Sequence, residues 1–272
     1  MLVNHPSLEG LPLQLEPAPQ LAHWLGVDEV LLVREDQLPG GGGKKRRSLA
    51  TLAAGLDPRR PVHVLSYAGS HSAYTLARLL PDTEIVSHGT HYRGGDYQRL
   101  MVQRLRRLPN VIQRNGPLFT TLLDFLWHRY ATRRSDTYLR PGGALKRDEA
   151  YVRAARVLAE NIDPGYHHVV PLASGNMAAA LAEVFPLVTG VLTQPLYIRL
   201  ALWLRLHRAK GLRLPPLAER ERLVRQVFRE TGLALDPVFM GAVLSYVNKE
   251  SRRLGRVCLW VTCPAAQQFH AG

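Results

Sequence analysis

The chain has 272 residues and a net charge of +13, from 35 basic and 22 acidic side chains. Its hydrophobic fraction of 46% is enough for a packed core. No apolar run reaches the roughly 18 residues of a membrane span, and MLVNHPSLEG lacks the basic and apolar regions of a signal peptide. The positive charge invites a polyanion such as nucleic acid. However, arginines such as Arg104, Arg106 and Arg107, or Arg220, Arg222 and Arg225, are spaced as on solvated helix faces. No RNA-binding signature, zinc-finger spacing or repeat is present. Cys258 and Cys263 have no neighbours that would complete a metal site and read as buried thiols. The expected location is the cytoplasm.

Three segments share one pattern. The apolar strand VLLV (30–33) leads through a glycine-rich loop to SLATLAAGL, which has helical periodicity. VHVLSY (62–67) leads through AGS to HSAYTLARLL, and HHVVPL (167–172) through ASGN to MAAALAEVF. A strand, a small-residue loop and a helix, repeated, predict an α/β fold with mainly parallel sheet. Ligands in such folds sit beyond the carboxyl ends of strands. Between these lie an apolar, aromatic helix, TTLLDFLWHRY, and a basic stretch, 195–231, whose part before Pro215 has the pattern of an amphipathic helix. VCLWV (257–261) is a late strand. His167 and His168, at a strand start, are expected to be exposed, and Asp236 with Pro237 is expected to turn the chain before a helix.

The most unusual stretch is GGGGKKRRSLATL, which starts at Gly40. Taken alone, it suits a nucleic-acid patch, a phosphate cradle or a reactive lysine. With the residues before it, VREDQLP, it resembles the K-R-E-D…G-G-N-K-x-R-x-L pattern of the pyridoxal-phosphate (PLP) enzymes of the tryptophan synthase β-like fold. The resemblance is to the branch containing 1-aminocyclopropane-1-carboxylate (ACC) deaminase and D-cysteine desulfhydrase. Arg34, Glu35, Asp36, Gly42 and Gly43 match. The register then sets Lys44 on the family's asparagine and Lys45 on its Schiff-base lysine, with Arg47, Leu49 and Leu52 following. The alternative register, with Lys44 reactive, loses Arg47 and Leu49.

Further motifs follow in the same order. SYAGSHSAYTLA is similar to the family's S-x-G-G-x-x-S-N-H-x-x-x-x-A segment; Ser70 and Ala77 keep their spacing, His71 stands on an asparagine that contacts the cofactor hydroxyl, and Ser72 on a histidine or glutamine. YLRPGGALKRDEAY is similar to a Y-x-x-P-x-G-G stretch. VVPLASGNMAAAL aligns on V-V-x-x-G-S-G-G-T-x-A-G-L, the loop that holds the cofactor phosphate. LALDPVFMGAVLSYV resembles L-D-P-V-Y-T-G-K, and LWVTCPAAQQFHAG stands in the place of the closing H-T-G-G segment.

The resemblance implies a two-lobed α/β fold of parallel sheets flanked by helices. The larger lobe would comprise 1–50 and 140–272, and the smaller 51–139. It implies a PLP-dependent deaminase or desulfhydrase acting on a small amino acid, with a homodimer as a possible assembly. Lys45 and Ser70 would be catalytic. Lys45, His71, Ser174, Gly175, Asn176 and Met177 would hold the cofactor. Ser70, Ser72 and Phe239 would meet the substrate. Ser70 is also placed to cap the helix after it.

The departures gather at the same positions. Ala173, Asn176 and Met177 replace glycine, glycine and threonine in the phosphate loop. Phe239 replaces an active-site tyrosine and cannot exchange a proton; Met240 replaces the partner of the pyridine nitrogen, and Ala242 a lysine. Two further expectations therefore stand beside the enzyme: a catalytically degenerate homologue that serves as a partner subunit, or a protein that binds an anionic ligand or nucleic acid.

Overall fold

The computed structural model describes residues 2–3, 11–39, 43–91, 95–132, 135–139, 148–172, 175–193 and 215–265. Ala173 and Ser174, residues 140–147, the basic segment 195–214 and the closing residues 266–272 lie outside the described residues. In chain order the strands are β1 (Leu2–Val3), β2 (Leu13–Pro17), β3 (Glu29–Val33), β4 (Val62–Tyr67), β5 (Ile85–Thr90), β6 (Val111–Gly116), β7 (Thr137–Leu139), β8 (His167–Leu172), β9 (Val188–Leu192) and β10 (Arg256–Trp260). The helices are α1 (Pro19–Leu25), α2 (Lys44–Ala54), α3 (His71–Leu79), α4 (Gly95–Arg106), α5 (Leu118–Trp127), α6 (Glu149–Ala159), α7 (Asn176–Ala182), α8 (Leu217–Thr231) and α9 (Met240–Leu254). A π-helical turn, His128–Thr132, follows α5. The chain divides into two compact units, Met1–Lys44 with Arg147–Gly272, and Lys45–Lys146.

The first unit is built on a six-stranded sheet in the order β1-β2-β3-β10-β8-β9. β3, β10, β8 and β9 run parallel, and β1 and β2 add an antiparallel edge. Its central strands are apolar at almost every position because helices cover both faces. Leu31, Val33, Cys258 and Trp260 pack on one side with Tyr151 and Leu158 of α6 and Leu181 of α7. Val30, Leu32, Val257 and Leu259 pack on the other with Leu21 of α1, Val227 of α8 and Val243 of α9.

Two expectations of exposure are corrected here. His168 is buried: its ring stacks on Phe185 with centroids 3.7 Å apart, and its Nδ1 accepts the Trp260 indole N–H at 3.2 Å. Arg220 is also buried, because its Nη1 donates to the Val238 carbonyl at 2.6 Å. A Cβ on Gly241 would stand 2.8 Å from the Arg220 Cβ, so α8 and α9 meet there without room for a side chain.

The second unit holds four parallel strands in the order β6-β5-β4-β7. The loop from β4 to α3 turns at Gly69, whose φ is +76°, and a Cβ there would meet the Gln98 carbonyl at 2.9 Å. Ser70 then caps α3, its Oγ accepting the Ser72 N–H at 3.1 Å, as the sequence predicts.

One sheet face of this unit is polar where a core is normally apolar. His63 of β4 and His88 of β5 meet Nδ1 to Nε2 at 2.9 Å. His63 Nε2 lies 3.0 Å from Asp136 Oδ2, and His88 Nδ1 2.8 Å from Asp124 Oδ2 on α5. Burial, together with the neighbouring His63 and His128, pulls His88 down to about 4 despite Asp124, so it is neutral at pH 7. Its single proton serves Asp124, leaving Nε2 to accept from His63. The four side chains Asp136, His63, His88 and Asp124 thus form one hydrogen-bonded chain across the sheet face.

Candidate active site

In the first unit the carboxyl ends of β3, β10 and β8 lie along one edge, and the chain returns there repeatedly. Beyond β3, Arg34 holds Asp36 through two bonds, Nε to Oδ1 at 2.9 Å and Nη2 to Oδ2 at 2.8 Å, and also pairs with Glu16. The Asp36 N–H donates to Val261 O at 3.0 Å, which ties this turn to the end of β10. Gly43, at φ +82°, turns the chain into α2 and donates to Glu35 O at 2.7 Å. Lys44 N then donates to Thr262 O at 2.8 Å. The first residue of α2 is thereby pinned between two strand ends.

This fixes where the Lys44 side chain goes. Only 8% of it is exposed, and Nζ lies 5.7 Å from the centroid of the Phe239 ring. Burial lowers its amine below the usual lysine value, while the carboxyl groups of Asp148 and Asp236 pull the other way. The Cys263 thiol is pushed up by burial and stays protonated. Asp236 is fully buried, and burial raises its carboxyl to about 7, against the N–H groups of Phe239 at 2.6 Å and Met240 at 3.3 Å that it accepts. Asp236 therefore begins α9, as its expected turn role requires, and also stands within electrostatic reach of Lys44.

A second support lies behind the lysine. The Tyr151 hydroxyl is 2.9 Å from Glu35 Oε2 and 3.0 Å from Lys44 O, and donates to one of them. Tyr151→Phe is expected to cost about 1–3 kcal/mol, since it leaves buried acceptors without their donor. The unfolding midpoint in urea checks this, and an unchanged midpoint would mean that the hydroxyl adds nothing.

The remaining candidates divide between the units. Phe239 is buried and in contact with Lys44. Gly175 follows β8 with φ +80°, a left-handed turn that opens α7, where Asn176 is the first residue and Met177 is buried. Ser70, His71 and Ser72 are buried in the second unit, where His71 Nε2 meets Tyr97 OH at 2.9 Å. Lys45 begins the second unit and is half-buried. Sequence reasoning missed Asp148, Asp236 and Cys263 as neighbours of the lysine; the acidic residue opening a helix at 148 and DPVF at 236 were the available signals.

A PLP site requires a lysine amine that can lose its charge, a phosphate-holding turn and a surface for the ring. Lys44 meets the first requirement, and the left-handed Gly175 turn suits the second. Phe239 and Met240 supply an apolar wall. The residues present fit the group at these three points. Among the described residues, no cluster of metal ligands exists and no helix is long and apolar enough to cross a membrane.

The fold is the tryptophan synthase β-like α/β fold of parallel sheets flanked by helices. The chain is similar in structure to an ACC deaminase homologue, with a TM-score of 0.69 and 19% identity over 96% of this chain and 91% of that one. It is also similar to the O-acetylserine-dependent cystathionine β-synthase from Helicobacter pylori (TM-score 0.65, 15% identity, 100% and 99% covered) and to the processed threonine deaminase isoform 2 from Solanum lycopersicum (0.65, 14%, 95% and 86%). No family model and no curated protein sequence matches the chain.

Proposed function

We propose that this chain is a PLP enzyme acting on a small amino acid as a deaminase or desulfhydrase, with the Lys44 amine as its anchor. The observation that carries this reading is a buried, pKa-lowered lysine held at a strand-end edge against Phe239. Its structural neighbours include an ACC deaminase homologue and a threonine deaminase, which supports the same class. Lys45, favoured by motif register, would offer the same chemistry from the adjacent position, but it is the less buried lysine.

The backbone N–H groups of Gly175 and Asn176, with Ser174 before them in sequence, would hold the phosphate, and Lys44 Nζ the carbonyl carbon. When bound, PLP supplies an electron sink for the bond broken at the substrate α-carbon. The chain's own residues do the rest. Lys44 Nζ, poorly charged when buried, accepts and returns a proton. Asp236, with a carboxyl near 7, stores that proton close by. Phe239 takes no proton and keeps water from the amine. In this reading Ser70 and Ser72 hydrogen-bond the substrate carboxylate, and His71 lies at the cofactor. The protein would work in the cytoplasm, with a homodimer as its assembly.

The test is release of ammonia and a 2-oxo acid from ACC, D- and L-cysteine, and D- and L-serine, with PLP added. Turnover of at least one, lost on the order of 10³-fold in Lys44→Ala, is expected. Absence of turnover together with absence of PLP binding would falsify the proposal.

A further inference from the structure

The positive charge of the chain is unevenly placed. Residues 45–146, the second unit, hold 17 of the 35 basic and 6 of the 22 acidic side chains, a net +11. The remaining 18 basic and 16 acidic side chains leave the first unit near balance, at +2. The charged unit also contains a groove of about 450 Å³, within the range of small-ligand sites.

The floor of the groove is the carboxyl end of the sheet, where ligands of such folds sit. Ala68 N donates to Thr90 O at 2.8 Å and His91 N to Gly116 O at 2.9 Å, so pairing runs one residue past β4 and β5. Gly89 keeps this floor low: a Cβ there would collide with Asn115 Oδ1 and stand 2.8 Å from Ala68 Cα. The wall is one face of α4, carrying Arg99, Val102, Gln103 and Arg106, while Tyr97, Met101 and Leu105 of the same helix are buried.

The lining has a definite chemistry. Arg99 and Arg106 are seven residues apart, two turns, so they leave the helix about 10 Å apart along its axis. Arg99 pairs with Asp96 one turn back, and among the described residues Arg106 has no acidic partner. Guanidinium forks match phosphate oxygens. Gln103 on the wall, with Asn115 and His91 on the floor, offers uncharged donors and acceptors between the two arginines. We infer that this groove binds a small polyhydroxylated molecule with a phosphate at each end, one for each arginine.

The occupant would also act on Ser70. Gln98 Nε2 donates to Ala68 O at 2.9 Å, and a Cβ on Gly69 would meet Gln98 O at 2.9 Å. Helix α4 is thus locked to the backbone just before Ser70, and a ligand braced on α4 and Ala68 steadies that loop.

Calorimetric titration of the full chain tests this, at low salt and with PLP present to take the phosphate turn of the first unit. The probe is fructose 1,6-bisphosphate, and fructose 6-phosphate is its single-ended control. The bisphosphate is expected to bind at least about tenfold more tightly. Arg106→Gln should reduce it to the affinity of the monophosphate, as for loss of one charge-assisted contact. Arg106 is exposed, so the variant should fold. Arg78→Gln removes an exposed arginine of the same unit outside the groove and should change neither affinity. Amide hydrogen exchange over 68–72 should slow when the bisphosphate saturates the wild type. No binding, equal affinity for the two phosphates, or equal losses in the two variants would overturn the inference. Binding with unchanged exchange over 68–72 would overturn the link to Ser70. A chain that ignores the bisphosphate but binds oligothymidylate, with an affinity falling steeply as salt rises, would overturn it in favour of nucleic acid.

Discussion

Wild-type protein mixed with PLP should turn yellow, and borohydride should fix the cofactor to the chain. Lys44→Ala should do neither, while Lys45→Ala should do both. The asymmetry rests on burial. A lysine of ordinary pKa near 10.4 is uncharged in only about one molecule in 2,500 at pH 7, and each unit of lowering raises that fraction tenfold. Lys44 is buried and its pKa is lowered by desolvation, whereas Lys45 keeps a half-buried side chain one residue on. The two lysines are adjacent in sequence but point about 100° apart around α2, so one cannot stand in for the other. The absorption spectrum and a tryptic map of the reduced protein decide between them. Label on Lys45, with Lys44→Ala still yellow, would show that motif register outweighs burial.

The second large effect is one of pH. Asp236 is raised to about 7 in the folded chain, against about 3.9 when unfolded. Between these values the folded state holds a proton that the unfolded state lacks. Stability from this group is full below about pH 4 and falls as pH rises to 7, by up to on the order of 4 kcal/mol. His168 does the reverse. Burial, with His167 adding to it, lowers it to about 4 from 6.5, because protonation would give up its role as acceptor for Trp260. The unfolded state holds the extra proton, so stability falls as pH drops from 6.5 to 4, by up to on the order of 3 kcal/mol.

Both groups belong to the first unit and oppose each other. Relative to wild type, Asp236→Asn is therefore expected to gain stability as pH rises from 4 to 6.5, and His168→Asn to lose it. Urea midpoints at pH 4.5, 5.5 and 6.5 measure both slopes. If both variants ran parallel to wild type, neither buried group would titrate as described.

Much of the architecture was legible because strand, loop and helix follow one another in short, regular runs. VHVLSY and HHVVPL coincide with β4 and β8, and Ser70 caps α3 as its position before an apolar helix suggests. The edge where Lys44 lies followed from the parallel-sheet rule. What stayed hidden depended on tertiary contacts. A one-residue shift in where α2 begins decides which lysine is buried, and only the bond from Lys44 N to Thr262 O, over two hundred residues away, sets it. His168 and Arg220 are polar by composition and are buried only because Trp260 and Val238 provide partners. The polar sheet face of the second unit had a local cue: each of the strands VHVLSY and IVSHGT carries a histidine inside an apolar run. That cue does not identify Asp124.

The histidine chain of the second unit has a consequence for inheritance. A hydrogen-bonded chain of largely buried polar groups is costly to break and cheap to replace whole: losing one member leaves its neighbours without partners at about 1–3 kcal/mol, while an apolar set of equal volume can be nearly neutral. His63, His88, Asp124 and Asp136 lie on four separate stretches of sequence. They nonetheless behave as a single trait, so descendants of this chain should keep all four together or exchange them together, and seldom pass through the forms in between.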